Sequence, residues 1–567
     1  MSPRCKQPAR ALSALVAVCA LAACGGSKVE GPTPAVPASP SSGQVTPASA
    51  APKVSFYAAS RFAEQATFGA TPALVAELQD KGFEKWIDEQ LTLPASDINL
   101  DRWVDWNVSN FDVSVYAQFE GEVLRTLLTA PDQLRWRMTW SLSQFIVVSE
   151  QKLDPAGTAL WVNHLNRMAL GTYGELLRGV TLSAPMGFYL DNAQNRPKGD
   201  DCLHCVPNEN YARELMQLFS LGVWALNADG SPKRDARGRL IETYSQRDVE
   251  ELARVLTGWR FDEVRVPNTP RNWGNWAKPM QPSRYSPDRD SGRKVVLGRV
   301  FPAGQTIHQD LDDLVALLMG HPNIGPFAAQ RLIQNFVKSD PSAAYLQRVA
   351  AVFRDNGRGQ PGDLKATLKA VLLDPEARRG DNPAQAVTDD GKLREPLLHR
   401  TALLRGLGCR MSPIGHWNNL PSGVGTQKPF SPMSVFGWYA PTDRAPGSNL
   451  LAPEQKLLTP RTLRERLMTL DGVAYTQGSP PYTYTGALEN AGCRLDDLYA
   501  AVDRSAAEVV NLVGQRYLRG QVPHELVPEV DRLLKAWRGT GHMGDPRRQA
   551  IRVLDYLLTS DGFGAMR

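Results

Sequence analysis

The chain has 567 residues, of which 42% are apolar and 22% are charged. This composition is typical of a globular protein and excludes a disordered, collagen-like or coiled-coil chain. The formal net charge of +5 falls to +2 without residues 1–23, because that segment carries three basic and no acidic side chains. A nearly neutral chain without a basic stripe makes nucleic acid a poor partner.

The first 23 residues have the pattern of a bacterial export signal. Basic residues precede an apolar run of thirteen residues, Ala11 to Ala23, which is shorter than the about 20 residues of a membrane-spanning helix. The run ends in Leu-Ala-Ala-Cys, the pattern of a lipoprotein signal in which Cys24 is lipidated and becomes the mature N-terminus. A plain secretory peptide is the alternative. Because Gly25 replaces the Asp that favours inner-membrane retention, we expect an exported outer-membrane lipoprotein that faces the periplasm or the cell surface and contacts the membrane through Cys24.

Behind the signal, residues 24–53 are rich in Pro, Ala and Ser and predict a disordered tether. Residues 54–567 contain no second linker, so we predict a single large domain. Apolar residues recur at helical spacing through this region, for example across 132–148. Two turn-forming pairs within 225–244 predict a small β-hairpin. The predicted fold is therefore all-α, a large multi-helix body with minor β-hairpin decoration.

Four cysteines follow Cys24 in the chain. Cys202 and Cys205 lie in a Cys-Leu-His-Cys segment, which lacks the fifth-position His of a haem-attachment motif and the βαβ setting of a thioredoxin-like redox pair. The even number of thiols in an oxidising compartment favours two disulfides, for which we prefer the pairs Cys202–Cys205 and Cys409–Cys493. A surface metal site at the first pair is the alternative.

The segment 207–218 predicts an amphipathic helix with a polar arc of about 140°. The arc contains Glu209, Asn210, Arg213, Glu214 and Gln217. Glu209 and Arg213 have the i, i+4 spacing of an ion pair on a solvated helix surface. The alternative is a group of carboxylate, amide and guanidinium side chains that lines a cleft, where it orients a polar substrate or transfers a proton.

A second polar set follows on the helix that begins after Ser245. Asp248 has capping-box spacing from Ser245, so its carboxylate can turn back to the Ser245 backbone N–H. Alternatively, Asp248 faces Arg213 or Arg254 across two packed helices and belongs to a charged network around the preceding glutamates.

The stretch 262–294 is rich in proline and includes Trp273 and Trp276. Indole rings in such a loop can stack on sugar rings, and Arg271 and Lys278 favour an anionic glycan. Alternatively, the aromatic side chains pin an irregular loop to the body.

The histidines give no sign of a metal centre. None of the eight has His-x-x-x-His or His-Glu-x-x-His spacing, so the sequence predicts no metal site. His164 is interpreted first as a core histidine, and Asp191 and Asn192 as a helix end and turn. Membership of an active site is the alternative for all three.

The sequence PNENYARELMQLFSLGV at 207–223, followed by YSQRDVEELARVLTGW at 244–259, resembles the bacterial family catalogued as domain of unknown function 1800. Further similar segments begin at residues 61, 134, 182, 321, 362 and 391. The resemblance implies an exported, largely helical bacterial protein that is often encoded beside a sulfatase-like or alkaline-phosphatase-like exported partner. It also implies that Gln144 and Arg289-Asp290 replace a His and a His-Asp of many members, which weakens any His-based metal site.

No motif identifies a reaction or a cofactor. The leading hypothesis is an envelope-anchored enzyme, a hydrolase of a polar substrate such as a polysaccharide, with Glu209 and Glu214 as acid/base or nucleophile candidates. Substrate-binding candidates are Asn210, Arg213, Asp248, Arg254, Trp273 and Trp276. The alternative is a non-catalytic scaffold or glycan-binding lipoprotein that serves an exported sulfatase-like protein.

Overall fold

The computed structural model describes most of the chain from residue 54 onward. The described residues are 54–100, 113–199, 202–262, 276–410, 427–467, 492–538, 540, 545–559 and 561–566. The predicted signal, the tether with Cys24, and Trp273 lie outside them.

Capping side chains begin several helices of the N-terminal half. Thr71, Asp154 and Thr172 each accept a hydrogen bond from a backbone N–H of the first turn. The helix after Thr71 begins with Pro72, whose fixed φ suits a first turn, and ends at Gly82. The helices are α1 (Phe56–Ala66), α2 (Pro72–Lys81), α3 (Phe83–Thr92), α4 (Val113–Thr129), α5 (Gln133–Ser143), α6 (Pro155–Met168), α7 (Tyr173–Leu182) and α8 (Ala184–Tyr189).

The middle of the chain combines two helices with two small antiparallel sheets. They are α9 (Asn210–Gln217), α10 (Gln246–Val255), β1 (Trp259–Arg260), β2 (Gln281–Pro282), β3 (Lys294–Val296) and β4 (Arg299–Phe301), with β1 paired to β2 and β3 to β4. The predicted hairpin region 225–244 contains backbone bridges, one of which joins Arg234 to Leu240. This bridge encloses a turn at Gly238, whose φ of +77° suits glycine.

The next helices are α11 (Ile307–Gly320), α12 (Ile324–Phe336), α13 (Ala343–Arg354), α14 (Leu364–Leu373) and α15 (Pro375–Arg379). The C-terminal part contains β5 (Lys392–Leu393), α16 (Pro396–Gly406), α17 (Pro460–Leu467), α18 (Asp496–Arg504), α19 (Ala506–Tyr517), α20 (Val527–Trp537), α21 (Pro546–Leu558), α22 (Asp561–Gly564) and β6 (Ala565–Met566). β5 pairs with β6, and Lys392 lies opposite Met566. The pairing brings the end of the chain back to the start of α16.

Two apolar clusters hold these helices together. The larger spans α1 to α15 and includes the fully buried Trp86, Trp136, Trp140, Trp161 and Trp259. The smaller contains α16 and α18 to α21, with Leu404, Val509 and Leu554 at its centre. The prediction of an all-α body with minor β-hairpins is therefore confirmed. No helix in the described ranges is long and apolar enough to cross a membrane.

Candidate functional site

Helix α9 is fixed by its apolar face. Tyr211, Ala212 and Leu215 are buried, and the Tyr211 hydroxyl shares a 2.7 Å hydrogen bond with Thr181 on α7. The Tyr173 hydroxyl donates to the backbone carbonyl of Phe219, just beyond α9, at 2.6 Å. Because this side of α9 is anchored to α7, most of the predicted polar arc is partly exposed, and Glu214 is its one buried member.

At the start of that arc, Glu209 lies in a half-exposed polar network. Its Oε2 accepts hydrogen bonds from Arg213 at 2.8 Å and from Gln246 at 2.9 Å. Arg213 also donates to the Gln246 amide oxygen at 3.0 Å. The side chains of Glu209 and Arg213 are 34% and 38% exposed. This is the i, i+4 surface pair that the spacing predicts, and such pairs contribute a few tenths of a kcal/mol to about 1 kcal/mol.

Glu214, one turn further along α9, is in a different situation. The residue is 7% exposed, and its buried Oε2 has no hydrogen-bond partner among the described residues. Burial raises the pKa of its carboxyl, while the charge of Arg213 opposes the shift. Since Arg213 is bound to Glu209, Glu214 keeps its proton to a higher pH than an ordinary glutamic acid does.

Two phenol groups are within electrostatic reach of Glu214. Burial, and then the charge of Glu214, raise the pKa of Tyr189 to about 12. Burial also raises the pKa of Tyr244, on which Arg213 and Glu214 act in opposite directions. The Tyr244 hydroxyl donates to the Gln217 side chain of α9 at 3.0 Å. Both phenols are therefore neutral hydrogen-bonding groups at neutral pH.

The turn after α8 closes one side of this region. Asp191 has a φ of 57°, and its carboxylate accepts from Lys152 at 2.7 Å and from Asn210 at 3.3 Å. A non-glycine residue in the left-handed region is strained by about 1–3 kcal/mol, and such strain concentrates at functional sites. Asn192 is 1% exposed, and neither its amide oxygen nor its nitrogen has a partner in the described ranges. A buried amide with unused hydrogen-bonding positions is available to a bound polar group.

Asp248 and Arg254 have other partners. Burial alone would raise the pKa of Asp248, but hydrogen bonds from Ser245 and from the Leu297 backbone N–H outweigh it and lower that pKa. Arg254 binds Asp290 at 2.7 Å and Glu251 at 2.8 Å. The Leu297 contact joins the β3–β4 hairpin to α10, and the Asp290 contact joins the segment before β3 to the same helix. The structure thus places Asp248 in the capping box and does not bring Arg254 to the glutamates of α9.

Trp276 is 6% exposed, and its indole N–H donates to Asp154 at 3.1 Å. Its ring makes edge contacts with Phe188 and Phe261, at centroid distances of 5.3 and 6.0 Å. The ring is therefore part of the packing between its loop and the body. Arg271 and Trp273 lie outside the described residues.

The cysteines form two disulfides. One joins Cys202 to Cys205, and the other joins Cys409 to Cys493 across 84 residues. In the part of the chain that the structure describes, no group of three His, Cys, Asp or Glu side chains is placed to hold a metal ion.

Sequence reasoning selected Glu214 but gave Tyr189, Asn192 and Tyr244 no role in a leading site. A signal existed for them, because Tyr189 and Asn192 lie in the segment beginning at 182 and Tyr244 opens the segment 244–259. Both segments belong to the family resemblance. The approach of Tyr189 and Tyr244 to Glu214, and the contact of Asp191, next to Asn192, with Asn210 of α9, depend on tertiary packing that no local pattern reveals.

The chain is a large helical protein. Its candidate site is the partly buried, protonatable carboxyl group of Glu214, which lies between the turn after α8 and the segment that begins at Tyr244. Over residues 61–563 the chain matches the family described as protein of unknown function (DUF1800), and it belongs to that family. No curated protein and no solved structure matches the chain.

Proposed function

We propose that this protein is a hydrolase in which Glu214 is a general acid and base. The observation that carries the proposal is a buried glutamic acid with a raised pKa and one carboxyl oxygen that has no partner among the described residues. Raised carboxyl pKa values are typical of catalytic acids, because a carboxyl that retains its proton to a higher pH can donate it.

The surrounding groups suit a substrate rich in hydroxyl oxygens. The Tyr189 hydroxyl is a neutral donor, and the Tyr244 hydroxyl, which donates its proton to Gln217, can accept a hydrogen bond. The Asn192 amide, next to the Asp191 that binds Asn210 of α9, offers both a donor and an acceptor. Glu214 would donate its proton to the leaving oxygen as the bond from that oxygen to the attacked carbon breaks. The carboxylate would then accept a proton from the water whose oxygen bonds to that carbon. A polysaccharide is the substrate class we propose.

The matched experiment compares Glu214→Gln with Glu250→Gln. Glu250 is an exposed residue of α10 and serves as the control for loss of one carboxylate. We expect Glu214→Gln to lower kcat by about 100-fold or more, since general acid catalysis contributes about 10²–10⁴-fold. The measurement is the release of reducing ends from purified envelope polysaccharides.

If Glu214→Gln is as active as the wild-type protein, the assignment of Glu214 as general acid and base is wrong. If the wild-type protein cleaves none of the purified envelope polysaccharides, the proposed substrate class is wrong. Only the second outcome, the absence of cleavage, would favour the second candidate function, a non-catalytic glycan-binding scaffold that serves an exported sulfatase-like protein. That candidate is supported by the way Glu209, Asp248 and Arg254 bind their own neighbours.

We also propose that Cys24 anchors the protein to the outer membrane. Residues 24–53, extended at about 3.1 Å per residue, would let the body reach roughly 90 Å from the lipid. We expect Cys24→Ser to move the protein from the detergent phase to the aqueous phase in phase partitioning, because the acyl chains would be lost. Unchanged partitioning of the variant would refute the anchor.

A further inference from the structure

A cleft of about 690 Å³ lies where the ends of α4 and α16 meet the start of α2. Its volume is within the range of small-molecule binding sites. Four arginines line it: Arg405, Arg410, Arg494 and Arg516. One acidic residue, Asp497, also lines it, so the side chains of the walls carry a formal charge of four minus one, or +3.

Arg405 is the most deeply placed of the four. The residue is 8% exposed, and its guanidinium donates to the backbone carbonyls of Gly69 at 2.9 Å and Leu128 at 2.6 Å. Burial lowers its pKa to about 10, so it remains cationic at neutral pH. No carboxylate in the described ranges forms a salt bridge with it. An anion in the cleft would therefore offset the cost of burying this charge.

Arg410 and Arg494 form the rim. Both residues are exposed, and neither side chain makes an ion pair in the part of the chain that the structure describes. Each directly follows one cysteine of the Cys409–Cys493 disulfide. The Arg494 side chain also packs over Gly408, where an added Cβ would lie 3.6 Å from its Cγ and Cδ. The disulfide thus holds the backbone of Arg410 close to that of Arg494, and both residues line the cleft.

Asp497 does not neutralise these groups. Its carboxylate forms an ion pair with Arg516, whose side chain is 10% exposed. This ion pair involves Asp497 and one of the four arginines, Arg516. Three guanidinium groups, at Arg405, Arg410 and Arg494, therefore line the cleft without a carboxylate partner among the described residues.

We propose that this cleft binds a ligand that carries two or more oxyanion groups, held by Arg405, Arg410 and Arg494. A guanidinium donates two parallel hydrogen bonds to a carboxylate, phosphate or sulfate, which is why arginine is favoured wherever such groups are bound. Several converging guanidinium groups favour a multiply charged ligand over a single ion. The site shares no residue with the Glu214 cluster and is independent of the proposed hydrolase activity.

The test is calorimetric titration of the full chain with two probes, tripolyphosphate and digalacturonate, at low and high ionic strength. We expect at least one probe to bind at a single saturable site, with affinity that falls as salt rises. Binding of tripolyphosphate alone assigns a phosphate-bearing ligand, and binding of digalacturonate alone assigns an acidic saccharide. If neither probe shows saturable binding, the proposal is wrong.

The variant Arg410→Gln with Arg494→Gln should raise Kd by about tenfold or more, because hydrogen bonds to charged groups are lost. The matched control is Arg234→Gln with Arg237→Gln, which removes the same charge from exposed positions of the 225–244 region. We expect the control to change Kd by less than about twofold. An equal loss of affinity in both variants would show that the probes are attracted by the overall charge of the protein. The proposed site would then be wrong. Thermal unfolding verifies that both variants are folded.

Discussion

Glu64 and Glu214 are both 7% exposed, but their surroundings are opposite. Oε2 of Glu64 accepts two hydrogen bonds from Arg519, at 2.9 and 2.8 Å, and lies 3.1 Å from Nη2 of Arg394. Glu214 has a carboxyl oxygen without a partner in the described ranges, and the arginine whose charge reaches it is bound to Glu209.

Burial of a carboxyl group does not by itself indicate its role. Two buried guanidinium groups compensate the charge of Glu64, so the charge contributes to holding α1 against the C-terminal part. Among the described residues, no pair of guanidinium groups binds Glu214 in this way, and burial disfavours its charged form. The presence of charged partners, rather than the degree of burial, distinguishes a structural carboxylate from a candidate acid.

The largest effect is expected for Glu64→Gln. The substitution leaves Arg394 and Arg519 buried without their counter-charge, and removing one partner of a buried ion pair costs about 3–5 kcal/mol. We expect the free energy of unfolding to fall by about that amount, measured by urea denaturation at neutral pH. A loss below about 1 kcal/mol would mean that the two arginines are compensated by other groups, and Glu64 would then not be a structural carboxylate.

Glu214→Gln should have a small effect on stability whose sign depends on pH. Burial raises the folded-state pKa of Glu214, so the wild-type protein loses stability as pH rises from the ordinary glutamic acid range through that raised pKa. Glutamine does not ionise. We therefore expect the variant to be within about 1 kcal/mol of the wild type near pH 4 and to gain stability relative to it towards pH 7.

The measurement is urea denaturation of both proteins across this pH range. A variant that instead loses stability relative to the wild type as pH rises would identify Glu214 as a paired, stabilising carboxylate. Glu209→Gln is the control on the same helix. Its half-exposed pair with Arg213 predicts a loss of less than about 1 kcal/mol.

Much of the fold is predictable because its signals are local. Thr71 and Pro72 begin α2 and Gly82 ends it, and each of these residue types favours that position by itself. Asp248 forms the capping box with Ser245 that its spacing allows, although the alternative of a charged network was open. Each depends on residues within one or two helical turns.

The candidate site is only partly predictable. A rotation of 100° per residue places Glu209 and Glu214 on one polar arc, and the helix alone cannot tell them apart. Their difference arises from packing against other segments, since Gln246 binds Glu209 while Tyr189 and Tyr244 lie near Glu214. The arginine cleft combines α2, α4, α16 and the residues around Arg494, which no single stretch of sequence brings together.

The pairing of β5 with β6 also supports the contact that α1 makes through Glu64. The backbone N–H of Arg394 donates to the Gly564 carbonyl at 2.9 Å, and Arg519 donates to the Ala565 carbonyl at 2.7 Å. The two arginines that bind Glu64 are thus themselves bound by residues 564 and 565. A chain without these residues would lose both carbonyl acceptors, so a truncation there would weaken an ion pair made by the first helix of the described body.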